Sequence, residues 1–122
     1  MDLEKLQVYT ISRDISKAVW DIYQEMGKEN KILIGQQLVR SVDSVGANIA
    51  EGYGRFHYLD SAKFYYNARG SLSEARHWVE LLSERQIIKE GPGKKIINDM
   101  DMLGKKLNSF ITTLKNKATK TQ

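Results

Sequence analysis

An all-α fold, an antiparallel up-down-up-down four-helix bundle, is predicted by three features of the sequence. The 122 residues hold a single proline, Pro92; the glycines gather at few places; and four long stretches repeat apolar residues at steps of three and four. Short strands need frequent turn residues, which one proline cannot supply, so an all-β fold is disfavoured. Four helices joined by short connections place neighbours antiparallel.

Val8, Ile11, Ile15, Ala18, Ile22 and Met26 form one stripe, which predicts a first helix over about 6–26. Ile34, Leu38, Val42, Val45 and Ile49 predict a second over about 34–53, ended by Gly52 and Gly54 through positive φ. Asp60 is the expected cap of the third, about 59–87, whose stripe is Phe64, Ala68, Leu72, Ala75, Val79 and Leu82. Gly91-Pro92-Gly93 reads as a turn, not a phosphate cradle, because the Gly-x4-Gly-Lys-Ser/Thr frame is missing. Ile96, Met100, Leu103, Leu107, Phe110 and Leu114 then mark a fourth helix over about 94–115. The expected domain covers residues 1–115. Residues 116–122 lack apolar anchors and are expected to form a flexible basic tail.

Hydrophobic residues make up 41% and charged residues 28%, the balance of one soluble domain large enough for its own core. The absence of cysteine removes disulfides, thiolate metal sites and cysteine nucleophiles, and is compatible with a reducing, cytoplasmic setting. No apolar run approaches the ~20 residues that span a bilayer, and the start of the chain is not a signal peptide, so no membrane association is expected.

Charge is uneven. Residues 85–122 carry nine basic side chains against three acids, although the whole chain has a net charge of only +4. Such a helix and tail suit salt-sensitive contact with RNA or DNA phosphates, but an excess this moderate, taken alone, more often marks a solvated face with a solubilising tail. Glu74 and His77 have the Glu-x-x-His spacing of di-iron bundles, but the other histidine, His57, has Gly54 three residues before it. Half of such a site is missing. Neither a metal nor another cofactor is expected, and without a Gly-x-Ser-x-Gly elbow no catalytic residue is assigned.

On the second helix Arg40, Ser44, Asn48, Glu51 and Arg55 form a polar stripe beside the apolar one, and the third offers Arg69, Ser71, Ser73 and Glu74. Such a stripe is either solvated or a network meeting another helix or subunit. Aromatic residues outside the main stripes (Trp20, Tyr53, Phe56, Tyr58, Tyr65, Tyr66 and Trp78) are more than one small bundle readily hides, which points to association.

The run Ser41-Val42-Asp43-Ser44-Val45-Gly46-Ala47-Asn48-Ile49-Ala50-Glu51-Gly52-Tyr53-Gly54-Arg55 and the later Ala68-Arg69-Gly70-Ser71-Leu72-Ser73-Glu74-Ala75 closely resemble a bacterial family. It is the four-helix-bundle family named for proteins encoded in intervening sequences of 23S rRNA genes, and the resemblance covers about residues 3–115. That family is in turn similar to an accessory protein of diversity-generating retroelements, a pentameric bundle that binds nucleic acid. Gly46 departs from the pattern, which commonly has a proline there.

The resemblance implies a homopentamer and contact with nucleic acid. The leading expectation is a non-enzymatic oligomer touching RNA or DNA phosphates through Arg55, Lys94, Lys95, Lys105 and Lys106. A protein-interaction adaptor is the alternative, and a metal enzyme built on Glu74 and His77 a further one. The motif itself is expected to be structural, with Asn48, Glu51, Arg55, Arg69 and Glu74 forming a network between the second and third helices. In a buried Glu51–Arg69 pair, removing either partner would cost about 3 kcal/mol.

Overall fold

A computed structural model describes Leu3 and residues 6–121. Met1, Asp2, Glu4, Lys5 and Gln122, which the expected domain and tail include, lie outside the described residues. Helix α1 runs Gln7–Glu25. A short helix α2, Lys28–Asn30, passes through a π-helical turn, Lys31–Gly35, into α3, Gln36–Tyr53, so these three make one continuous rod. Helix α4 spans Tyr58–Glu84 and α5 Glu90–Thr121. Four rods result, with no strand among the described residues.

Each rod packs mainly on its neighbours around a square: α1 on α3 and α5, α4 on α3 and α5. The α3–α4 seam is the most extensive and α1–α5 the thinnest. The core follows from the stripes. Val8, Ile15 and Val19 of α1, Leu38, Val42, Val45 and Ile49 of α3, Ala68, Leu72, Ala75, Val79 and Leu82 of α4, and Ile96, Met100, Leu103, Leu107, Ile111 and Leu114 of α5 are all buried. Hydrophobic burial at period 3.6 is therefore what selects the bundle.

Helix ends differ from expectation for identifiable reasons. The second rod starts at Lys28 rather than about 34, because Gly27 in extended backbone opens a helical turn that carries Glu29. The π turn then shifts the phase, burying Ile34 and Gly35 while exposing Ile32 and Leu33. Asp60 is not the cap of α4. His57 holds that position without a side-chain cap bond, and Asp60 lies in the first turn, where its charge suits the helix N-terminus.

Gly91-Pro92-Gly93 is the first turn of α5 rather than a connecting turn, since proline there loses no helical hydrogen bond. At the other end the helix continues past 115 through Thr121. Ala118 extends the buried stripe of Leu107, Ile111 and Leu114, so the segment expected to be an unanchored tail is helix through Thr121.

None of the nine glycines has positive φ. Gly52 lies within α3, and its role is close approach: a Cβ there would stand 2.8 Å from the Tyr65 ring and 3.1 Å from the Ser61 carbonyl oxygen. Positive φ occurs instead at Gln86, after α4. There Ile87 N–H donates to Leu82 O and Gln86 N–H to Ser83 O, the paired bonds of a Schellman ending with glutamine where glycine is usual.

Of the aromatic residues expected to be unaccommodated, Tyr65 is fully buried against Phe110, ring centroids 4.7 Å apart, and Trp78 is half-buried. Burial, reinforced by nearby Tyr53, raises the Tyr65 phenol to about 12. The neutral phenol is thus favoured by folding. Its contribution is complete below the ordinary tyrosine value of about 10 and is lost as pH rises through about 12. Ultraviolet titration of the phenols should show one late-ionising tyrosine, absent in Tyr65→Phe, and a parent whose stability falls over that window. A Tyr65 ionising with the surface tyrosines would contradict its burial.

Candidate nucleic-acid interface

The five lysine and arginine positions expected to meet phosphates are not equivalent. Arg55 is held by its own surroundings: its guanidinium lies 2.7 Å from Glu51, 3.7 Å from Asp60 and 4.5 Å over the Phe64 ring, clasping the α3–α4 connection. Lys94 pairs with Glu90 at 2.8 Å, and Lys95 with Asp99 at 2.9 Å. Lys94 also borders a groove of about 960 Å³ between the C-terminus of α4 and the start of α5, where Glu80, Glu84 and Glu90 offset its charge. Lys105 and Lys106 have no carboxylate within ion-pair distance among the described residues. Lys106 donates to Gln7 on α1 at 3.2 Å.

A sharper division lies along α5 itself. Asp101 is its last acid, and from residue 102 onward the chain carries Lys105, Lys106, Lys115, Lys117 and Lys120 with no Asp or Glu. Near Asp101 the α4–α5 face is tied by Arg76, which bonds Asp101 through Nε at 2.7 Å and also pairs with Glu80. The Arg76 hydrogen bond holds the Asp101 carboxyl below the usual range. Beyond that tie the same face turns basic and aromatic. Arg69 lies 4.9 Å over the Tyr66 ring and donates to Asn108 at 2.9 Å; Lys115 Nζ donates to the Tyr66 hydroxyl at 3.0 Å; Lys117 sits 5.8 Å from the Tyr58 ring. No carboxylate among the described residues pairs with Arg69, Lys115 or Lys117. Because α5 runs on past residue 115, Lys117 too is carried beside α4, to the Tyr58 ring.

The expected network of Asn48, Glu51, Arg55, Arg69 and Glu74 does not form within the protomer; a smaller polar contact of other residues joins α3 to α4. Ser44 on α3 and Ser71 on α4 share a hydrogen bond of 3.0 Å, and Asn48 donates to the Ser44 carbonyl and hydroxyl. Glu51 and Arg69 do not meet within the protomer. Glu51, on the exposed side of α3, reaches Arg55 one turn away, while Arg69 faces α5. Glu51→Gln should therefore cost under about 1 kcal/mol, as for other exposed pairs, not the ~3 kcal/mol of a buried one. Glu74 accepts a bond from Trp78 Nε1 at 3.1 Å, and His77 packs edge-on against Trp78. Among the described residues no three His, Asp or Glu side chains gather as metal ligands. Gly46 faces Ser12, whose Oγ would stand 3.3 Å from a Cβ there, so α1 and α3 approach closely where the family pattern has proline.

The 23S rRNA-intervening sequence protein family model matches residues 4–109. The chain belongs to that family. A crystal structure from Bacteroides thetaiotaomicron, described as a protein of unknown function from the S23 ribosomal protein family, is similar with a TM-score of 0.79 and 26% identity. The likeness covers 85% of this chain and 97% of that one. Among curated proteins none matches. The family match stops short of Lys115 and Lys117, so two of the three cations of the cluster lie beyond the matched region. No helix among the described residues is long and apolar enough to cross a membrane.

Proposed function

We propose that the protein is a non-enzymatic, oligomeric nucleic-acid-binding protein of the cytoplasm that holds RNA or DNA through its phosphates. The acid-free stretch of α5 after Asp101, with five lysines, is the observation that carries this reading. Phosphate contact neutralises such charges and releases counterions without reading sequence, and straight helices offer no base-reading loop. Lys105 and Lys106 remain the leading contacts from the original five, while Arg55, Lys94 and Lys95 serve chiefly to pair with local acids.

The resemblance favours a ring of five, and the structure supports association by leaving Trp20, Ile32 and Leu33 exposed at the end of the bundle remote from the basic cluster. A ring would repeat the basic surface and gain avidity from weak individual sites. Light scattering should give about five times the 14.0 kDa protomer, and a monomer at micromolar concentration would refute the ring. Lys105→Glu with Lys106→Glu should weaken RNA binding about tenfold or more, read by anisotropy at low salt. Unchanged binding would move the interface elsewhere. A parent that binds no nucleic acid even at low salt would favour the adaptor reading, for which the 91% exposed Phe56 is the natural contact.

A further inference from the structure

From the α4–α5 cluster we infer that Tyr66, Tyr58 and Phe56 form a stacking surface for the bases of single-stranded nucleic acid, with Arg69, Lys115 and Lys117 beside it for the phosphates. This rests on the nucleic-acid-binding reading and adds what kind of strand is taken and where. Phosphate contact alone would be served by lysines in any surroundings. Here each cation of the cluster is set against an aromatic ring, and the rings stay accessible: Tyr66 is 37% exposed, Tyr58 39% and Phe56 91%.

Exposed rings beside unpaired cations are the two parts of a single-strand site, since every base offers a π-face and every nucleotide a charge. Arg69 contributes both, because its guanidinium plane stacks as well as attracts. A duplex keeps its bases stacked inside and presents chiefly phosphates to a helical face, so the tyrosines would gain nothing from it. Tyr58 and Tyr66 are about two helical turns apart on α4, about 12 Å along the axis, and Phe56 lies in the bend just before the helix start. The opposite half of the same face lacks this combination: Arg76 and Lys94 are each paired with carboxylates. Stacking and phosphate contact are both blind to the sugar, so RNA and DNA strands should bind alike.

The test uses the full chain and four probes of about 16 nucleotides: oligo-dT, oligo-U, an abasic strand with the same phosphates, and a duplex. Oligo-dT and oligo-U should bind within a few-fold of each other and about tenfold or more tighter than the abasic strand. Tyr66→Leu should weaken the single strands about tenfold while leaving abasic and duplex binding within twofold, and Tyr66→Phe should keep the parent's affinity. Thermal melting of Tyr66→Leu checks that it folds, and Tyr58→Leu provides an independent second variant. If the abasic strand binds as well as oligo-dT, or if both leucine variants leave single-strand affinity unchanged, the stacking surface is wrong while phosphate binding stands. If no probe binds at low salt, the nucleic-acid reading itself fails, and the stacking surface with it.

Discussion

Leu103→Ala should destabilise the protein by about 2–5 kcal/mol, in the upper part of that range. Leu103 is completely buried midway along α5, between Met100 and Leu107 on the same stripe, which are equally enclosed. Removing its branched end deletes transfer energy and leaves a space that three neighbouring rods, each fixed by its own stripe, cannot readily close. Leu72 on α4, 6% exposed, should behave similarly with a smaller loss. Urea unfolding at fixed protein concentration should show a lower midpoint with an unchanged slope, since the unfolded surface is the same. A loss below about 1 kcal/mol would mean that the core is not packed around α5 as described.

Gly52→Ala should destabilise by about 2 kcal/mol or more, and Gly52→Val by more again. Helix propensity alone predicts the opposite sign, a gain of about 1 kcal/mol on replacing a helical glycine by alanine. Crowding decides the outcome. The new Cβ would meet the Tyr65 ring at 2.8 Å and the Ser61 carbonyl at 3.1 Å. Tyr65 is backed by Phe110, and Ser61 is tied to α3 because its hydroxyl donates to the Gly52 carbonyl at 2.7 Å, so neither moves without opening the α3–α4 seam. Gly70, in the middle of α4, supplies the contrast. Nothing lies within 4 Å of a Cβ there, so Gly70→Ala should stabilise by about 0.5–1 kcal/mol. If both substitutions stabilise, the close approach at Gly52 is wrong.

The four rods were legible because each depends on a local pattern: apolar residues at steps of three and four leave one face to bury, and four such faces pack as a bundle. Gly52 shows where local patterns stop. A glycine near a helix end reads as a positive-φ terminator, yet its actual job depends on Tyr65 and Ser61 in the next helix, a contact that spacing along one segment does not reveal. Charge pairs divide the same way. Lys94 with Glu90 and Lys95 with Asp99 are four residues apart and could have been discounted as phosphate contacts from sequence. Arg76 with Asp101 and Lys115 with Tyr66 join residues 25 and 49 positions apart and needed the packed α4–α5 face. The expected Glu51–Arg69 pair joined the right helices through the wrong residues, because Ser44 and Ser71, small enough for closely packed helices, occupy the crossing. Ala118 is the single apolar residue of 116–122, and that it is buried, so that α5 continues and sets Lys117 against Tyr58, depends on packing that the tail's composition does not reveal.

The salt dependence of binding to a short single strand tests most directly whether α5 is a phosphate-binding surface. With three or more of its lysines engaged, log K against log salt should fall with a slope of about −2 or steeper, and Lys105→Glu with Lys106→Glu should make it shallower. A slope near zero, or the same slope in parent and variant, would contradict the assignment of α5 as the nucleic-acid interface.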